Sequence, residues 1–176
     1  MSRFLRAILP RVSRRSPHSS ATFADVKTTH YAPAIVALKT GKALGAVEAL
    51  HITPSGEILE GTTSNFFAFQ GDRLITPAGD EILIGITREV IKRLAGPHFE
   101  VVEAPVKMGC FDEAFLTASN KEVMPLVAID SVPVGPGNVG PKTRFLMNLF
   151  RQYTESSDWP PLTIARYGAK LNAQAQ

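Results

Sequence analysis

Three short segments of the 176-residue sequence hold side chains whose types and spacing could do chemistry together. The first, Asp25-Val26-Lys27-Thr28-Thr29-His30-Tyr31, sets a lysine just beyond a β-like stretch, with an aromatic hydroxyl four positions on. A lysine attacks an aldehyde only when burial or neighbouring cations lower its pKa. Alone, Lys27 reads as a solvated surface lysine. The second, Glu57-Ile58-Leu59-Glu60-Gly61-Thr62-Thr63-Ser64-Asn65, runs a carboxylate at a strand end into small hydroxylated residues. A buried anion there could hold a cofactor's ring nitrogen protonated, because it stabilises an adjacent cation. Alone, it reads as a turn acid followed by a polar loop. In the third, Ile82-Leu83-Ile84-Gly85-Ile86-Thr87-Arg88, glycine permits close backbone approach and the helix that follows offers free N–H groups. Those donors and the helix dipole attract phosphate. Alone, the segment reads as an ordinary loop-to-helix junction.

The elements that must position these segments follow from periodicity. Tyr31–Lys42 is expected to be helical, with Pro33 tolerated in its first turn and Gly45 as a stop. Val47–Thr53 and Gly56–Glu60 read as a hairpin around Pro54-Ser55-Gly56, and Asn65–Gln70 with Arg73–Thr76 as a second around Gly71-Asp72. Thr87–Ala95 switches to helical spacing with Thr87 as the expected N-cap. Phe99–Ala104, Glu113–Thr117 and Leu126–Ile129 are further strands, and Pro141–Tyr153 is an amphipathic helix opening on proline. The pattern predicts one mixed α/β body over residues 23–156, with a loosely ordered extension over 157–176.

Composition excludes several classes. No apolar run approaches the roughly 18 residues that span a bilayer. Cys110, the one cysteine, has no partner for an internal disulfide and sits in no zinc-like cluster, which suits a reducing compartment. The positive excess behind the net charge of +3 resides in the first 24 residues, where Arg3, Arg6, Arg11, Arg14 and Arg15 occur without an acid. Residues 25–176 carry 14 basic and 16 acidic side chains, so the body offers no basic groove for nucleic acid. Residues 1–22 read as a basic tail or the remnant of a domain. Alternatives are a mitochondrial targeting segment, in which Phe4, Leu5, Ile8 and Leu9 would line a short helix, or a nucleic-acid-binding arm.

Taken in order, the segments resemble the fold-type IV pyridoxal-phosphate enzymes, the group of branched-chain aminotransferases, D-amino-acid aminotransferases and aminodeoxychorismate lyase. The resemblance runs from about Asp25 to Phe150. It includes Val26-Lys27-Thr28-Thr29, Glu48-Ala49-Leu50, Glu60-Gly61-Thr62-Thr63-Ser64-Asn65-Phe66-Phe67, Thr76-Pro77, Ile82 to Arg88, Asp112-Glu113-Ala114-Phe115-Leu116-Thr117 and Glu122-Val123-Met124-Pro125. It implies the large C-terminal domain of the D-amino-acid-aminotransferase-like fold, a curved, mainly antiparallel sheet or pseudo-barrel with flanking helices, and a small N-terminal domain absent.

The resemblance also implies roles. Lys27 would carry the Schiff base to pyridoxal 5'-phosphate and move the substrate proton; Glu60 would face the ring nitrogen and Tyr31 the phenolic oxygen. Leu83 would pack on the ring, with Thr63 near it. The phosphate would sit at Gly85, Ile86 and Thr87, helped by Ser119, and Ser119 with Asn120 would receive a substrate carboxylate. Asn120 and Lys121 stand where many members of the family have small residues, and Arg11, Arg14 or Arg15 is a candidate for the phosphate-pairing arginine. The implied activity is transfer of an amino group between an amino acid, of branched-chain or D type, and a 2-oxo acid. The alternatives are an aminodeoxychorismate lyase and a non-catalytic truncated paralogue. A homodimer in the cytoplasm is expected, with the mitochondrion as the alternative, and neither nucleic acid nor membrane as a partner.

Overall fold

The computed structural model describes residues 5–8, 32–78 and 82–156. They form, in chain order, β1 (Leu5–Ile8), α1 (Ala32–Ala43), β2 (Glu48–Ile52), β3 (Glu57–Gly61), β4 (Ser64–Gln70), β5 (Arg73–Thr76), α2 (Ile86–Ala95), β6 (Glu100–Glu103), β7 (Val106–Lys107), β8 (Glu113–Ala118), β9 (Glu122–Ile129), β10 (Val132–Pro133) and α3 (Pro141–Glu155). Among these residues no helix is long and apolar enough to cross a membrane.

The strands make one mixed, mainly antiparallel sheet in the order β6-β5-β4-β8-β9-β1-β2-β3-β7, with β10 on β9. Because β3 also pairs with β4, the sheet curls back until six strands, β4-β8-β9-β1-β2-β3, meet in a ring. Alternation along β4 shows how one strand serves two cores. Phe66 and Ala68 pack inside the curl with Leu50, Ile58, Leu116 and Leu126. Phe67 and Phe69 point the other way and meet Phe115, Ile91 of α2, and Leu146 and Phe150 of α3. Side chains buried on both faces explain the unbroken apolar run.

Two carboxylates and a guanidinium fasten the helices to this sheet. Glu113 of β8 accepts hydrogen bonds from the backbone N–H of Lys142 (3.2 Å) and Thr143 (2.8 Å), so it caps α3 from a distance. A side chain at Gly140 would collide with that carboxylate, which is why glycine precedes the helix. Arg88 of α2 is buried; it donates to the Pro77 carbonyl (2.9 Å) and pairs with Glu103 of β6 (3.0 Å) and Glu89 (2.6 Å). The start of α2 is thereby pinned to the end of β5.

The structure departs from the sequence reading in three places. Leu5–Ile8, expected in a tail or a short helix, is a strand inserted in parallel between β9 and β2. Its four residues are too few for periodicity to reveal, and the ladder they join lies about forty and about 120 residues away. Thr87 is not the N-cap of α2: that position is Gly85, with extended backbone and no side-chain cap, and Thr87 is buried in the first turn. Finally, β9 begins at Glu122, four residues before the expected strand, although Pro125 lies within it. The stretch that β1 shares begins at Leu126, past the proline.

Ala7 faces partners on both sides, Glu48 in β2 and Ile129 in β9. Proline there removes a ladder donor from an interior strand. Ala7→Pro is expected to lower stability by about 2 kcal/mol or more, as read from urea midpoints. An unchanged midpoint for the proline variant would show that β1 is dispensable.

Candidate active site

One edge of β4 is occupied by β8 from Asn65 to Phe69. The other is divided: Ser64 and Asn65 pair with β3, and Ala68 to Gln70 pair with β5. At this fork the chain returning toward α2 crosses β3 and β4. The fork is where the second and third segments of the sequence meet.

Glu60 Oε2 accepts from the Leu83 backbone N–H (3.2 Å) and from Asn65 Nδ2 (3.4 Å). The same amide donates to the Leu83 carbonyl at 2.6 Å. A Cβ on Gly85 would overlap Asn65 Oδ1, so only glycine lets residue 85 lie this close. Two side chains from adjacent strands therefore hold both backbone groups of Leu83, and α2 starts at Ile86, three residues on. The first N–H groups of that helix have no acceptor within the helix and form an anion-seeking end. Ile86 is 77% exposed, which leaves the approach to that end open.

Burial holds the Glu60 carboxyl near pH 7, up to about 7 against an ordinary 4.5, and the Leu83 N–H recovers only part of the cost. Its described donors are neutral, a backbone N–H and an amide. Across the β2–β3 ladder stands His51, half-buried, whose pKa burial lowers and Glu48 pulls back up. Thr117, opposite Asn65 on β8, has a buried hydroxyl with no hydrogen-bond partner among the described residues.

A second cluster lies on the other side of the β3–β4 turn. Glu48 is fully buried and accepts from its neighbour Ala49 N–H (3.1 Å), the Thr62 hydroxyl, the Ser64 hydroxyl (3.3 Å) and the Lys121 ammonium. Burial would raise this carboxyl, but hydrogen bonds and charge from Lys121, with the Thr62 bond, outweigh it and hold the pKa below the usual range. Lys121 Nζ also donates to Thr63 Oγ1 (3.0 Å). The turn that carries Lys121 is closed by its N–H on the Ala118 carbonyl (3.0 Å), leaving Ser119 and Asn120 exposed at the tip.

Of the residues expected from sequence, Glu60, Leu83, Gly85, Ile86 and Thr87 come together at the fork. Thr63, Ser119 and Asn120 lie on two turns joined through Lys121. Lys27, Tyr31 and the candidate arginines Arg11, Arg14 and Arg15 lie outside the described residues. Sequence reasoning missed Asn65, Glu48 and Lys121 as the groups that hold the loops. A signal was present for Asn65, an amide beginning an otherwise apolar strand, and for Glu48, an acid opening one.

The model of the amino-transferase class IV family matches residues 4–129. A D-alanine aminotransferase of Staphylococcus aureus (strain COL) is 35% identical over 142 residues, covering 75% of this chain and 48% of its own. A branched-chain-amino-acid aminotransferase of Pseudomonas aeruginosa is 34% identical over 124 residues, 68% of this chain and 40% of its own. Among solved structures, the branched-chain amino acid aminotransferase from Thermobaculum terrenum in its PLP form matches with a TM-score of 0.75 at 30% identity, over 85% of this chain and 50% of that one. The chain thus spans about half, or less, of the length of the curated relatives it matches.

A carboxyl with a raised folded-state pKa binds a proton more tightly when folded. Its stabilising effect is complete below pH 4.5 and is lost as pH rises to about 7. Glu60→Gln should remove this slope. The stability difference between wild type and the variant is expected to shift by up to about 3 kcal/mol across that window, with His51 common to both. Parallel stability–pH curves would show that Glu60 titrates normally.

Proposed function

The chain belongs to the amino-transferase class IV family, and on that premise we propose that it holds pyridoxal 5'-phosphate and moves an amino group between an amino acid, of branched-chain or D type, and a 2-oxo acid. The observation that carries this reading is the junction at Leu83, which sets a half-buried carboxyl beside the open end of α2. It is supported by relatives named for branched-chain amino acids or D-alanine, and by a structural neighbour solved in its PLP form.

The residues fit such a group at both of its charged ends. Glu60, half-buried without a described cation, would be matched by a protonated pyridine nitrogen, and the contact would return its pKa toward the carboxylate range. Ile86 and Thr87 supply first-turn N–H groups to a phosphate, Gly85 keeps the approach free of a side chain, and the unpartnered Thr117 hydroxyl marks a further polar vacancy on the same face. Ser119 would add a hydroxyl from the β8–β9 turn. Leu83 and Thr63 would line the ring, and Tyr31 would donate to its phenolic oxygen. When bound, pyridoxal phosphate supplies an electron sink for the pair left when the substrate α-carbon loses its proton.

The remaining steps belong to the chain. Glu60 keeps the ring nitrogen protonated. Lys27 Nζ would hold the cofactor through its aldehyde and, once freed by the incoming amino acid, would take the proton from the substrate α-carbon and return it to the carbon on the cofactor side of the transferred nitrogen. Ser119 and Asn120 would orient the substrate carboxylate. The proposed partners are the amino acid, the 2-oxo acid and a second copy of the chain. The last is supported by large apolar side chains on and after α1, Ile35, Val36, Leu44 and Val47, each about half exposed or more. A reducing compartment, the cytoplasm, suits the lone exposed thiol of Cys110.

Incubation with pyridoxal 5'-phosphate, borohydride reduction and peptide mass mapping test the assignment. One adduct on Lys27, absent from Lys27→Ala, is expected. An adduct on another lysine, or none, overturns it. In parallel, conversion of the bound group to its aminated form by D-alanine or by L-leucine would tell the two substrate types apart.

A further inference from the structure

Lys121 joins two turns of the proposed site, β8–β9 and β3–β4, to the start of β2. Its ammonium reaches from the β8–β9 turn to Glu48 at the start of β2, and to Thr63 in the β3–β4 turn. Glu48 is wholly buried, and of its described donors only Lys121 is charged. The other three come from Ala49, Thr62 and Ser64, so one carboxylate gathers β2 and the β3–β4 turn, and one ammonium fastens the second turn to them. The close approach is enforced at Gly61, where a Cβ would overlap Ser64 Oγ and crowd the Glu48 side chain.

We propose that Lys121 is a positioning residue: its ion pair with buried Glu48 latches the Ser119–Asn120 turn against the Thr62–Thr63 turn, and so fixes the substrate-carboxylate end of the site relative to the ring end. The proposal rests on the aminotransferase reading for the word substrate, but not for the latch. Three observations favour a latch over a binding cation. The two charges cancel, leaving no net field to draw an anion. Two of the three ammonium donors are committed to Glu48 and Thr63. The next residue, Glu122, has a left-handed backbone (φ 54°), a conformation that a non-glycine residue adopts when its surroundings impose it. The backbone of the turn is thus set on both sides of its exposed tip, by the Ala118–Lys121 hydrogen bond and by the ion pair.

Lys121→Met removes the ammonium and keeps the stem, but strands the Glu48 charge in the core. Glu48→Gln with Lys121→Met removes both charges, and Lys121→Arg keeps the pair. Two readouts apply to each: amide hydrogen exchange at Lys121 and Thr62, and the Kd of 4-methylvalerate, a plain monocarboxylate probe, on chain loaded with pyridoxal 5'-phosphate. In Lys121→Met and in the double variant, the two turn amides are expected to exchange at least tenfold faster while Ile91 in α2 is unaffected, and the probe's Kd to rise about tenfold to a hundredfold. Lys121→Arg should restore both. Wild-type exchange in a folded double variant, or in Lys121→Met, overturns the latch; faster exchange with an unchanged probe Kd overturns its link to the site. If the wild-type chain takes up neither cofactor nor probe, the aminotransferase reading fails, while the exchange measurement still decides the latch.

Discussion

The arrangement depends on the Asn65 side chain. Its amide donates to the Leu83 carbonyl at 2.6 Å, and its oxygen lies where a side chain on residue 85 would be. A buried primary amide without partners costs on the order of 1–3 kcal/mol, so the loop that satisfies Asn65 is held as firmly as the strand that carries it. Asn65 stands at the one place where the edge of β4 changes partner from β3 to β5. The fork and the loop fit each other: the divided edge leaves room for Leu83, and Leu83 supplies partners for the Asn65 and Glu60 side chains. The start of α2 follows from that contact, and Arg88 fixes its direction from within the core.

Two carboxyl groups beside the same turn, Glu48 buried and Glu60 half-buried, show how environment separates structure from chemistry. Glu48 meets an ammonium and two hydroxyls and stays ionised; it behaves as a rivet. Glu60 meets an N–H and an amide, and burial raises its pKa to about 7. A group in that state gains more from an incoming cation than a satisfied one does. Such a carboxyl next to a helix N-terminus offers one end to a cation and one to an anion, which is what the proposed phosphorylated pyridine would require.

Much of this was legible in sequence. The second hairpin is marked by Gly71-Asp72 between apolar runs, and α3 by a proline at its first turn ahead of a 3.6-residue stripe. Glu60 and the Gly85–Thr87 junction were legible as candidates because each carries its own local reason, a strand-end acid and a glycine before a helix. What local pattern does not encode is pairing over distance. The partners of β1 are remote, the two-residue strands β7 and β10 are too short to alternate, and the Glu48–Lys121 contact joins residues 73 positions apart. Thr87 misled for a related reason: a hydroxyl before an apolar stripe is the usual cap, but here the cap is Gly85, two residues earlier and held close to Asn65, and Thr87 turns inward.

On the proposed function, the Asn65–Leu83 contact holds the start of α2, the phosphate end of the site, in place relative to Glu60. The ratio of the Kd for pyridoxal to that for pyridoxal 5'-phosphate isolates the contribution of the phosphate, and comparing wild type with Asn65→Ala isolates the part that depends on this contact. The ratio is expected to fall about tenfold or more in Asn65→Ala, equivalent to about 1.4 kcal/mol, with the pyridoxal affinity changing less. An unchanged ratio in a folded variant would contradict the claim, because α2 would then hold its position without Asn65.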